Sequence, residues 1–161
     1  MLTKVSDSFS LKGEVKWIKS KNGIILAESE FMSNKIVSSA ERGISLFLDR
    51  LAAINDHSAN ITHADIGDDD TPVLVADTEL GNGLVRAQVG AASRSGLSTE
   101  FRFFYIDALT PDDTYNEFGM FVDGTVTLGT GQLFNHLIFG LPLVKASGED
   151  HTIVCRITGG V

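Results

Sequence analysis

From residue 84 to residue 157 the chain is cut into short apolar runs by glycine, proline and aspartate, and this rhythm restricts it to an all-β design. The runs cover 84–89, 99–106, 117–122, 125–128, 132–139 and 151–157. Gly90, Ser95-Gly96, Pro111-Asp112-Asp113, Asp123-Gly124, Gly129 to Gly131 and Ser147-Gly148 separate them. Strand-length runs rich in β-branched and aromatic residues, bounded by turn formers at this spacing, predict an antiparallel β-sandwich.

The first half adds a hairpin and a helix. Residues 14–19 alternate, with Val15 and Trp17 on one face and Glu14, Lys16 and Ile18 on the other. Asn22-Gly23 then precedes Ile24-Ile25-Leu26, and both turn residues tolerate the positive φ of a primed turn. Ser38-Ser39-Ala40-Glu41 reads as a capping box. Behind it Ala40, Ile44, Phe47, Leu48, Leu51 and Ile54 recur at helical spacing, which predicts one amphipathic helix over about 38–54 packed on a sheet. Residues 56–83 read as an acidic loop, with only 61–66 and 73–75 extended.

A length of 161 residues suits one domain, here 13–161, which at this size buries a core without disulfides or metals. Residues 1–12 are polar and unpatterned and are expected to be an N-terminal arm. No apolar run approaches the roughly 18 residues of a membrane span, and the N-terminus lacks a signal peptide's apolar core, so neither a membrane partner nor export is expected. The net charge of −8 opposes binding to phosphate backbones, so nucleic acid is not an expected partner. The single Cys155 falls on the same alternating face as Ile153 and Ile157 and is expected to be a buried, inert thiol.

No catalytic constellation is visible, and no cofactor is implied. His57, His63, His136 and His151 are scattered without metal-ligand spacing, and His136 in an apolar strand is expected to be a satisfied strand histidine. Asp65, Asp68, Asp69 and Asp70 are the one candidate calcium cluster. They miss the EF-hand pattern: a loop starting at Asp65 has Gly67 at its third position, Asp70 where the turn glycine belongs and Ala76 where the bidentate glutamate belongs. A solvated acidic turn is therefore the preferred reading, with no metal. The pairs Asp112-Asp113 and Glu149-Asp150 lie in turns, whereas a glycosidase needs opposed acids.

Two stretches stand out as structural or binding elements. Phe101-Arg102-Phe103-Phe104-Tyr105 suits a strand buried on both sides, and Phe101, Phe103 and Tyr105 double as interface candidates. In Asn116-Glu117-Phe118-Gly119-Met120-Phe121, Phe118 and Met120 share one face and Glu117, Gly119 and Phe121 the other. The bare Gly119 leaves room for another backbone or a large side chain, and Glu117 is expected to cap a loop by accepting backbone amides rather than to act in catalysis.

The order of segments resembles a diverged group of tailed-bacteriophage virion proteins that includes the N-terminal tail-collar domains of tail fibres. The resemblance rests on five segments: Asn34-Lys35-Ile36-Val37 entering the helix, Ile66-Gly67-Asp68, Asp77-Thr78-Glu79-Leu80, Asn116 to Phe121, and Leu141-Pro142-Leu143-Val144-Lys145. It spans about residues 34–157. Ala40 stands where that group often has glycine, Asp69 replaces a second turn glycine, and Phe118 and Met120 replace aliphatic residues. The resemblance implies a non-enzymatic virion protein, made in the bacterial host cytoplasm, that binds other virion proteins and itself in a symmetric homo-oligomer. A tail, baseplate, collar or fibre-adaptor position is favoured, with Lys145 a further interface candidate. Capsid decoration on the head surface and a glycan-binding module for a host-surface receptor are the alternatives, although the only tryptophan, Trp17, is expected in the core.

Overall fold

The computed structural model describes residues 10–37, 50–53 and 58–160. Nine strands are formed among them: β1 (Ser10–Lys21), β2 (Ile24–Glu28), β3 (Met32–Ile36), β4 (Ile61–Gly67), β5 (Gly83–Ser95), β6 (Ser98–Tyr105), β7 (Thr114–Val122), β8 (Gln132–Val144) and β9 (Asp150–Gly160). All pair antiparallel, in the order β1-β3-β8-β7-β4-β5-β6-β9, and β9 returns to β1. The result is a closed eight-stranded barrel, not the expected sandwich, with β2 added outside the closure as a hairpin arm on β1.

The closing ladder runs from Ser10↔Gly160 to Ser20↔Asp150, so residues 10–12 belong to β1 rather than to an arm. Alternating runs are equally suited to a sandwich or a barrel, and only this pairing of the two ends of the fold decides between them. Bulges supply the curvature: register shifts occur between Val89 and Ala91 and, on β7, between Tyr115 and Glu117 and between Met120 and Phe121. Asn135 repairs the last of these by accepting the Met120 amide at 2.8 Å through its side-chain oxygen. Pro142 lies in the stretch of β8 opposite the first shift, between the pairs Glu117↔Ile138 and Tyr115↔Leu143, where it interrupts no ladder bond to β7.

Val15, Trp17, Ala64, Ile66, Phe103, Tyr105, Phe118, Met120 and Ile153 fill the interior. Phe103 meets Phe118 edge to face at 5.9 Å between centroids, and the Tyr105 hydroxyl donates to the Ala64 carbonyl at 2.9 Å. Cys155 is buried there too, and burial pushes its thiol up to about 12, which leaves it without reactive thiolate near neutral pH. Asn22 (φ 52°) and Gly23 (φ 77°) make the expected β1–β2 turn.

Several local expectations need correction. Residues 125–128 are loop, and so are 73–75. β3, whose Met-Ser-Asn-Lys-Ile sequence is half polar, was not expected as a strand. The expected helix over 38–54 lies outside the described residues apart from 50–53, of which 50–52 are helical.

Candidate functional site

The outer surface of the barrel divides into a covered part and a bare part. On β4 and β7 both faces are buried: every residue from His63 to Gly67 and from Glu117 to Val122 is enclosed. The cover comes from two chain segments, 68–82 and 123–131, each fastened by a buried charged side chain.

Glu117 fastens the first. It points outward from β7, is fully buried, and accepts the amides of Gly81 at 2.9 Å and Asn82 at 2.7 Å. Its Oε2 also lies 2.9 Å from His136 Nε2, and His136 Nδ1 lies 2.8 Å from Asp77 Oδ2. Burial pulls the His136 imidazole down, but hydrogen bonds to Glu117 and Asp77 more than reverse this, so it titrates above its ordinary 6.5. In its charged form both ring N–H groups donate, one to each carboxylate. Around this pin Asn116 Nδ2 donates to the Asp68 carbonyl at 2.7 Å and Lys35 Nζ to the Val73 carbonyl at 2.7 Å. Leu80 then closes a small outer apolar cluster with Val37, Phe121 and Leu133.

Glycine makes the close approach possible. A Cβ on Gly119 would stand 2.6 Å from Leu80 Cδ1 and 2.7 Å from Leu133 Cδ1. One on Gly67 would collide with the Asn82 carbonyl and the Glu117 carboxylate.

Arg86 fastens the second segment. Its guanidinium grips Asp65 through two hydrogen bonds, lies 4.5 Å from the centre of the Phe121 ring, and donates through Nη1 to the carbonyls of Thr125, Thr127 and Thr130. Within 125–128, which forms no strand, the Thr125 and Thr127 carbonyls thus bond Arg86 rather than a neighbouring strand. Asp65 is therefore committed to a cation of the protein itself. Of the other calcium candidates, Asp68 accepts from Asn82 Nδ2 and Asp69 from Thr71, while Asp70 is exposed. Among the described residues no three acidic, histidine or cysteine side chains converge in a metal-holding group.

A third pin lies at another place on the surface. Lys145 is buried, with Nζ 2.7 Å from Asp107 Oδ1 and 2.8 Å from Asp112 Oδ1, which ties together the loops on either side of β7 and β8. It is thus an internal clamp and not an interface residue. Phe103 and Tyr105 are likewise interior, at 0% and 1% exposure, and Phe101 packs half-buried against the core. The residues that do face outward from this run are Arg102 and Phe104, so β6 is not buried on both sides.

The bare part carries an exposed apolar patch, while Leu74, Val75 and Val126 are exposed on the covering segments themselves. Phe104 (48% exposed) lies across Gly90, where a Cβ would strike its ring, and Ile106 and Leu109 extend the patch. A shallow, mostly apolar groove of about 340 Å³ runs between them and β5. On the hairpin arm all five residues of β2 are exposed, Ile24 at 68% and Ile25 at 62%. Sequence reasoning missed both features. The first had no local signal, because Gly90 is the unpaired bulge residue of β5 and only the fold lays the Phe104 ring across it. For the second the signal was an apolar run directly after a tight turn, with no polar residue until Glu28.

Both ring nitrogens of His136 are engaged, by Glu117 and Asp77, and the buried Cys155 is held as a thiol. A cleft of about 370 Å³ opens beside His136 between Asp69, Thr71, Leu74, Asp77 and Leu80. Among the described residues no helix is long and apolar enough to cross a membrane. The chain matches no protein-family model, no curated protein and no solved structure.

Proposed function

We propose that the chain is a non-enzymatic structural component of a tailed-phage particle, a tail, baseplate, collar or fibre-adaptor protein that acts by binding other virion proteins. One observation carries the reading: four of the five segments on which the resemblance rests meet around Glu117. Gly67 pairs with Glu117 across β4 and β7, and Asp77 holds His136. Leu80 packs over Gly119, and Val37 joins Leu80 and Phe121 in the outer cluster. Segments scattered over the sequence thus build one unit, as expected of a shared structural core. The fifth ends in the Lys145 clamp.

The bare surfaces support binding as the mode of action. Monomers seldom leave an aromatic patch and an apolar edge strand open without a partner. The test is quantitative mass spectrometry of purified particles of the encoding phage, with heads and tails separated and this chain counted against the major capsid protein. Recovery with tails at a small ring-like number supports the reading. Recovery with heads at near-capsid stoichiometry means decoration instead, and absence from both fractions sinks it.

A further inference from the structure

The geometry points to β2 as a self-association strand, on which the β2 of a second copy adds antiparallel across a two-fold axis. Among the described residues β2 pairs only with β1, so its outer edge presents unpaired backbone groups. Its side chains Ile24, Ile25 and Leu26 are more than half exposed, and no proline or lysine interrupts them. β2 is the one strand outside the closed barrel, so a neighbour can add to it without opening any ladder of the barrel.

Charge selects the occupant and its direction. A chain of net charge −8 repels its own copies in general, but on the hairpin arm Lys16 is bridged to Glu28 and Lys19 to Glu149, which leaves Lys21 and Glu30 as opposite charges toward its two ends. β2 begins beside Lys21 and ends at Glu28, with Glu30 just beyond. An antiparallel copy sets the lysine end of each strand beside the glutamate end of the other, whereas a parallel copy stacks like charges. A two-fold axis delivers this match automatically, because each patch meets itself reversed.

The pair is weak in isolation. Five residues fall well short of the about 800 Å² per partner of a standard interface. The register shift between Lys19 and Ser20 leaves Leu26 as an extra residue on β2, which kinks the edge. Such a contact becomes effective when copies are already held close by a symmetric ring or a shared partner. The inference stands on β2 alone and does not require the virion reading. The following solution test can fail while the particle count succeeds, and the reverse.

The experiment is sedimentation equilibrium of the full chain from dilute solution to its solubility limit, with fold checked by circular dichroism. The expected result is concentration-dependent dimerisation that Ile25→Lys weakens at least tenfold. Lys21→Glu and Glu30→Lys each weaken it, and the two together restore it. Cysteine placed in turn at Ile25, Leu26 and Ala27 gives one position that oxidises to a covalent dimer at least tenfold faster than cysteine at the exposed Val126, because facing Cα atoms across an antiparallel pair lie within disulfide reach. A chain that stays monomeric throughout overturns the inference, as does an assembly of any size that Ile25→Lys leaves intact.

Discussion

Strand β6 carries Phe101, Phe103, Phe104 and Tyr105, and β7 carries only Tyr115, Phe118 and Phe121, yet β7 is the strand buried on both faces. The difference lies in what crosses over them. β7 presents outward a glutamate that can accept two backbone amides and an imidazole, and a glycine that lets the crossing chain come close. β6 presents outward Phe104, which offers a passing backbone nothing to bond, and Arg102, whose guanidinium is turned to Glu100. A loop cannot cover a sheet by apolar contact alone, because its own amides and carbonyls need partners once water is gone. Burial of the outer face here follows from polar pins more than from hydrophobicity.

The strongest test of that contrast is Glu117→Ala. It strands the amides of Gly81 and Asn82 and leaves His136 with one partner, at an expected cost of about 3–5 kcal/mol in urea unfolding, the range for breaking a buried ionic group. Loss below about 1 kcal/mol would break the comparison. Glu117→Gln should fall between, since it keeps an acceptor but not the charge.

Next in size is the pH profile. His151, buried at the start of β9, is pushed down from 6.5 to about 4, by burial first and by the Lys19 charge second. The unfolded chain takes up this proton before the folded one does. Stability is therefore complete above pH 6.5 and falls as pH drops toward 4, by roughly 3 kcal/mol at 1.36 kcal/mol per pKa unit. His136 has the opposite sign. Its folded value is raised, so its contribution is fully present below pH 6.5 and is lost as pH rises through the folded value. Urea midpoints from pH 4 to 9 should peak near pH 6.5, His151→Leu should flatten the acid side, and Asp77→Asn should flatten the alkaline side. An alkaline limb that Asp77→Asn leaves unchanged would remove His136 from the account.

The strands themselves were largely legible, because alternation and turn residues are local signals. Trp17 in the core and the Asn22-Gly23 hairpin follow from nearest neighbours alone. Closure was not legible: it depends on pairing Ser10 with Gly160, and nothing in either residue announces the other. The cover was legible only in part. Gly119 and Glu117 show from sequence that β7 has an unusual outer face, but the identity of what lies there, Leu80 and the Gly81 and Asn82 amides, is information held 35 to 39 residues away. Phe104 misled for the same reason, since an aromatic residue beside three others looks buried until it is known that among the described residues no segment crosses it.

Gly119→Ala probes the fit of the cover more gently. The added methyl meets Leu80, Leu133 and the Asn135 carbonyl at 2.6 to 2.9 Å, and the two leucine ends can yield while the carbonyl cannot. Overpacking of this kind costs about 1–3 kcal/mol. Hydrogen exchange at Gly81 and Asn82 should speed up in the variant, while exchange in β6 stays as it was. Equal acceleration in both would mean that the cover and the barrel open as one unit.

The smallest expected effect is the most informative about the bare part. Phe103→Ala empties an interior site and should cost about 3–5 kcal/mol. Phe104→Ala, one residue along, removes a ring already 48% exposed and resting on Gly90, and should cost under about 1 kcal/mol. A side chain so cheap to remove from the folded monomer owes the monomer little, and under the proposed function its value lies in a partner. Particles grown with Phe104→Ala should then carry less of the chain although its melting temperature barely moves. A variant that melts far below the wild type would instead show that something covers Phe104, and with it the division between a pinned face and a bare one would fall.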